Sequence, residues 1–164
     1  MCVREVNGVW HVPLSQSHPL YQSVGLVPRF NDGDHCVVVV DAQKLIHYWS
    51  LDHRIYHLPP VEEWSESKRD GIFEFLSPPK RRWTHVEMPV AYLQEMRIEQ
   101  VEIRFWFFKR KIERLIRYVG FTNGRHRTRY LAYAGATQLP VQTSRRNAQL
   151  LEHYCGVDSQ PETK

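Results

Sequence analysis

Apolar residues in this chain fall into short runs, and the spacing within those runs changes along its length. Val9 to Leu14 reads as a strand ended by Pro13. The polar, proline-containing stretch that follows, up to Pro28, reads as loop. Asn31-Asp32-Gly33-Asp34 is a turn by its Asx and glycine content. Cys36 to Val40 is an unbroken β-branched run and predicts a strand buried on both faces. Asp41 is placed to cap a helix from Ala42 to about Trp49, packed by Leu45 and Trp49. His53 to Trp64 carries no clear pattern, and Pro59-Pro60 breaks any helix within it. Residues 65–82 contain Ser77-Pro78-Pro79 and a basic tip, and read as an exposed loop or insertion.

The second half is denser in signals. Val86 to Val90 reads as a strand, and Val90 to Glu95 as a short helix or turn after Pro89. Val101 to Phe108 alternates apolar and polar residues, and Ile112 to Phe121 resumes after Lys109-Arg110-Lys111. Two readings compete there: a hairpin with a basic tip, or one long helix from Ile98 to Tyr118. A turn at Asn123-Gly124 opens a helix from Arg125 to Tyr133, with Gly135 as its stop. Leu139 to Gln142 is the last strand. Thr143 or Ser144 begins a helix that runs to about Tyr154 and stops at Gly156. The sum is one α+β domain over residues 1–156, a mixed sheet with flanking helices, and a polar tail over 157–164.

Composition narrows the class. At 164 residues the chain is long enough for a real core, and 42% hydrophobic against 24% charged excludes wholesale disorder. Cys2, Cys36 and Cys155 form neither a CxxC pair nor an even framework, which points to free thiols in a reducing compartment. No basic-then-apolar leader and no apolar run of membrane-spanning length are present, so the expectation is a soluble, cytoplasmic protein without membrane insertion. The net charge of +4 gathers in Lys80-Arg81-Arg82, Lys109-Arg110-Lys111, Arg125 to Arg129 and Arg145-Arg146. Such clusters point to a nucleotide or DNA as partner.

One segment carries chemistry. Asn123, Gly124, Arg125, His126 and Arg127 stand at the mouth of a helix, where unpaired N–H groups and the helix dipole favour an anion. Gly124 lets the backbone approach a phosphate, and the Arg127 fork suits its non-bridging oxygens. His126 is able to donate to phosphate or to carry a proton near neutral pH. Phosphate hydrolysis also needs a carboxylate to orient water or hold a divalent ion such as Mg²⁺. Asp41, Glu87, Glu99, Glu102 and Glu113 are available, and Glu102 joins His126 and Arg127 as the candidate catalytic set. There is no Walker-type glycine loop and no G-x-S-x-G elbow. His47, His53 and His57 with Asp52 suggest a metal cluster, but Pro59-Pro60 argues against the helix it requires, and no metal site is assigned. Arg129, Arg145 and Arg146, with the tips at Lys80-Arg81-Arg82 and Lys109-Arg110-Lys111, are the candidate nucleic-acid contacts. Trp83 and Trp106-Phe107-Phe108 beside those tips offer stacking surfaces.

Phe121 to about Thr143 resembles the signature of the ParB/sulfiredoxin superfamily. Gly124, His126, Arg127, Ala134, Gly135, Leu139, Pro140 and Val141 match the partition-protein pattern without a gap. Gly124, His126 and Arg127 also match the sulfiredoxin Gly-Cys-His-Arg turn. Arg125 stands where that turn has its nucleophilic cysteine, so sulfinic-acid repair is excluded. The chain ends too soon for the helix-turn-helix domain of partition proteins. A stand-alone core of this kind resembles the plasmid fertility-inhibition and oncogenic-suppression proteins. That resemblance implies ATP or another nucleotide as ligand, ATP hydrolysis and DNA cleavage as chemistry, and a block on DNA transfer by type IV secretion. A secretion coupling protein would be among the partners. Two other readings remain: a non-catalytic nucleotide- or DNA-binding regulator, and a pure protein-interaction inhibitor.

Overall fold

A computed structural model describes residues 2–15, 21–52, 58–77, 85–104 and 108–158. Its strands form two four-stranded sheets where the sequence suggested one. In the first, β1 (Arg4–Val6), β2 (Val9–Pro13) and β3 (Ser23–Val27) run antiparallel, and β5 (Val86–Glu87) adds parallel to β3. In the second, the order is β4 (His35–Asp41), β8 (Gln138–Ser144), β6 (Val90–Arg104) and β7 (Phe108–Asn123). Helices α1 (Ala42–Ser50), α2 (Glu66–Leu76), α3 (Arg125–Tyr133) and α4 (Arg145–Cys155) complete the α+β fold, with a 3-10 turn at Val61–Glu63. Among the described residues, no helix is long and apolar enough to cross a membrane.

Capping chemistry fixes the helices that the sequence made legible. The Asp41 carboxylate accepts from the Lys44 N–H at 2.9 Å and starts α1. Ala42, Leu45 and Trp49 then fall on one buried stripe. Trp49 meets Phe121 of β7 edge-on, ring centroids 4.9 Å apart, in a core shared with Leu26, Val40, Leu131, Leu139 and Leu151. β4 is less enclosed than its valine run suggested: Val38 and Val40 are buried, whereas Val37 and Val39 are only half-buried.

Four expectations are corrected. The stretch before Pro28 contains β3, so it is not all loop. Residues 66–76, expected as part of an exposed loop, form α2, which Ser65 caps by accepting from the Lys68 N–H. Residues 90–95 are strand, not helix or turn, because every residue from Leu93 to Arg104 has a partner on β7. That same ladder rules out the long helix over 98–118 and extends the hairpin well beyond its expected ends. The ladder between β6 and β8 is short, a single parallel pair at Val90 and Gln142. Asn147 of α4 takes over from β8 beyond it. Its side chain accepts from the Leu93 N–H at 2.8 Å and donates to the Leu93 carbonyl at 2.7 Å. Both main-chain groups on that side of β6 are thus satisfied without a strand.

Candidate phosphate-binding site

The turn forms where the sequence placed it. Gly124 caps α3 in the left-handed region, φ 90° and ψ 12°. A Cβ there would lie 2.7 Å from the Pro89 Cα, so both the backbone angle and the close approach of Pro89, just before β6, require glycine. The Gly124 carbonyl accepts from the Thr128 N–H at 2.9 Å and from the Thr128 hydroxyl at 3.1 Å, which closes the first helical turn. The main-chain N–H groups before Thr128 stand at the open end of α3.

The four side chains of the turn separate into two pairs. Arg125 and His126 are exposed, while Arg127 and Thr128 are buried. The His126 ring lies 5.7 Å from that of Trp64, and the Lys68 ammonium of α2 sits 4.5 Å from the Trp64 ring centroid. Partial desolvation of the ring, followed by the charges of Lys68 and Arg125, holds the His126 imidazole below its ordinary value. His126 therefore stands neutral at pH 7, able to accept a proton. Trp64 and Lys68 did not stand out in the sequence, because neither lies near the motif.

Arg127 departs from its expected role as a phosphate clamp. Its Nη1 donates to the Glu87 carbonyl, and its guanidinium lies 5.8 Å from the Phe75 ring centroid. Burial lowers its proton affinity, with Glu87 opposing that shift and Arg29 adding to it. Arg127 thus ties α3 to β5. A second tie positions Arg29: the Gln142 Oε1 accepts from the Arg29 and Phe30 N–H groups, both at 2.9 Å. The Arg29 guanidinium then pairs with the Glu87 carboxylate at 3.4 Å. Glu87, one of five carboxylates the sequence offered, is thus tied to α3 through its main-chain carbonyl, while its carboxylate pairs with Arg29.

Glu102 is not at the site. It pairs with Arg110 in the hairpin register and bonds Arg114 at 3.5 Å. Val90, by contrast, lies opposite Asn123 next to the turn. At roughly 3.3 Å per residue, Glu102 is about 40 Å along β6 from Val90. Glu99, bonded to Lys111 at 2.9 Å, lies on the same outer arm.

The nucleic-acid candidates do not converge on one surface. Arg129 turns inward, its Nη2 donating to the Leu58 carbonyl at 2.9 Å and its guanidinium 4.6 Å from the Trp49 ring centroid. Lys109, Arg110 and Lys111 lie on the outer arm of the hairpin. Arg145 bonds the Gly33 carbonyl at 2.7 Å at the start of α4, and Arg146 beside it is exposed. Lys80, Arg81, Arg82, Trp83, His53, His57, Trp106 and Phe107 lie outside the described residues. Among the described residues, no three His, Cys, Asp or Glu side chains converge as a metal cage.

Comparison with known proteins bears on this geometry. The family described as "Plasmid Fertility inhibition factor" matches residues 37–156. No curated protein matches the chain. Among solved structures, the chain resembles a gold(I) cyanide derivative of the oncogenic suppression activity protein, which is described as a plasmid fertility inhibition factor. The TM-score is 0.67 at 15% identity, covering 97% of this chain and 77% of that one. At that identity, the likeness concerns the fold.

Proposed function

The chain belongs to the plasmid fertility inhibition factor family, and from that premise we propose that it blocks conjugative or type IV secretion transfer of DNA through phosphate chemistry at the α3 turn. The ligand is a nucleotide or a DNA phosphate. The observation that carries the reading is the exposed His126 at the open end of α3, flanked by Trp64 and the cations Lys68 and Arg125, on a helix that Arg127 ties to the strand bearing Glu87.

Each residue has a part. The N–H groups at the start of α3 receive phosphate oxygens, and Arg125 and Lys68 supply positive charge around them. Glu87 orients the attacking water, and His126 takes the proton that water loses. The new P–O bond forms as the bond to the leaving phosphate or sugar oxygen breaks, and that oxygen leaves as the anion. A magnesium ion is ordinarily held by one or two carboxylates together with the substrate's own phosphates, and Glu87 is the carboxylate that fits this role. When bound, the ion would neutralise charge on the transferring group. Arg127 acts by positioning Glu87.

A second reading rests on the same pair of residues. The Glu87 carboxylate is already engaged by Arg29, which favours a protein that binds nucleotide or DNA and regulates a partner without hydrolysis. Phosphate release from ATP with magnesium, with and without DNA, separates the two. Hydrolysis by the parent chain that is lost in Glu87→Gln and His126→Ala supports catalysis. Retained nucleotide binding with no release by the parent chain favours the regulator.

A further inference from the structure

We propose that the outer edge of β4 is the interface through which two copies of this chain pair, antiparallel, about a twofold axis at Val37. Pro140 decides which way the main-chain groups of β4 turn. Opposite residues of an antiparallel pair alternate between hydrogen-bonded and non-bonded. Val39 lies opposite Pro140, which has no N–H to give, so this is a non-bonded pair. The Gln142 N–H, on the same side of β8 as Pro140, accordingly points away from β4 and donates to the Pro89 carbonyl at 2.8 Å. Val37 and Val39 therefore turn their main-chain groups away from β8, toward the open edge of the sheet.

Among the described residues, that edge lacks the usual protection. Natural edge strands carry charges, prolines or bulges against pairing with other chains. Between His35 and Asp41, β4 has only Cys36 and four valines. Its described cover is a single bridge at one end, between Val40 and Gly156. Alongside lies a trough of about 490 Å³, lined by Cys36, Val39, Ala148, Glu152, Val157 and Asp158 among others.

Two features point to a second copy as the occupant. The first is the pattern of main-chain groups. The His35 N–H is already spent on the Asp32 carboxylate at 2.9 Å, and the bridge at Val40 closes the opposite end. The outward groups between them are the His35 C=O, the Val37 N–H and C=O, and the Val39 N–H. Rotated about Val37 this set is its own complement: Val37 exchanges both bonds with its twin, and each Val39 donates to the other copy's His35. The second is charge. β4 and α4 run side by side, with Arg145 and Arg146 exposed at the His35 end of α4, beside the exposed Asp32 and Asp34 of the preceding turn, and with exposed Glu152 and Asp158 at the Val40 end. Antiparallel pairing sets the arginines that open α4 in one copy against the carboxylates at the Val40 end of the other. The contact is isologous and closed, so it yields a dimer and not a fibre.

The test is sedimentation velocity of the full chain over a concentration series. It is joined by disulfide trapping of Val37→Cys in a Cys2→Ser, Cys36→Ser background. The expected parent is a monomer–dimer equilibrium. Val37→Pro, which removes only an outward N–H and is tolerated at an edge, should sediment as monomer at every concentration. Val37→Cys should cross-link to its twin under mild oxidation at least tenfold faster than Val6→Cys, an exposed control. A parent that stays monomeric throughout, or a dimer that survives Val37→Pro, overturns the proposal. So does equal trapping of the two cysteine variants, an outcome that does not depend on Val37→Pro folding normally.

Discussion

The Arg127 guanidinium donates to the main-chain carbonyl of Glu87, so the most buried cation of the α3 turn holds the strand that carries the carboxylate proposed for the site. Truncating it orphans a part-buried acceptor and removes the link between α3 and β5. Arg127→Ala should therefore cost about 2–4 kcal/mol of stability, measured by urea unfolding. Glu87→Gln keeps the carbonyl and should leave stability within about 0.5 kcal/mol, because its pair with Arg29 is surface-exposed. If Arg127→Ala unfolds like the parent chain, its bond to Glu87 is not a tie.

His126 gives the pH dependence. Partial desolvation of the ring, then Lys68 and Arg125, lowers its folded-state value below the ordinary 6.5. The unfolded chain consequently takes up a proton first as the pH falls. Stability is fully present above 6.5 and is lost between 6.5 and the lower folded value. The ring should titrate by NMR with a midpoint below 6.5, and Lys68→Ala should move it upward. A midpoint at or above 6.5 would contradict the neutral imidazole on which the proton transfer depends.

Gly124 tests the turn's geometry apart from its chemistry. Its φ of 90° disfavours a side chain, and a Cβ would stand 2.7 Å from the Pro89 Cα and 2.9 Å from its Cβ. Gly124→Ala should lower stability by about 1–3 kcal/mol. Gly33→Ala, with open space around the added methyl, is the contrast. Thermal unfolding of the pair should show a loss for Gly124→Ala and little change for Gly33→Ala.

Where the sequence carried a cap and a stop, the structure followed it closely. Asp41 opens α1, Gly124 and Gly135 bracket α3, and Gly156 ends α4. These are short-range signals, settled by one residue's backbone freedom or one side-chain acceptor. Helix α2 was obscured because Gly71 interrupts its apolar pattern and Ser77-Pro78-Pro79 follows it. The start of β6 looked helical because Gln94-Glu95-Met96 favours helix locally, and pairing with β7 overrides that preference. The position of Glu102 was obscured for a related reason. Glu102 lies nearer to the turn in sequence than Glu87, yet β6 carries it away along the hairpin. The parallel pairing of β5 with β3, and the bond from Arg127, bring Glu87 in. Sequence distance has little bearing on which carboxylate a two-sheet fold delivers.

Gln142 is where fold and site can be separated. It is buried on β8, and its side chain accepts from the N–H groups of Arg29 and Phe30 and donates to the Phe30 carbonyl at 2.6 Å. It touches neither Glu87 nor the α3 turn in these bonds, and its influence on the site runs through Arg29. Gln142→Ala strands two N–H donors and a carbonyl, and should cost about 2–3 kcal/mol. Arg29→Ala removes only the exposed pair with Glu87, with little expected change in unfolding. If Arg29 restrains the Glu87 carboxylate, both variants should change ATP hydrolysis in the same direction, whereas only Gln142→Ala should lower the melting temperature. Opposite effects on hydrolysis would mean that the loop after β3 acts on the site by a route other than the Arg29–Glu87 pair.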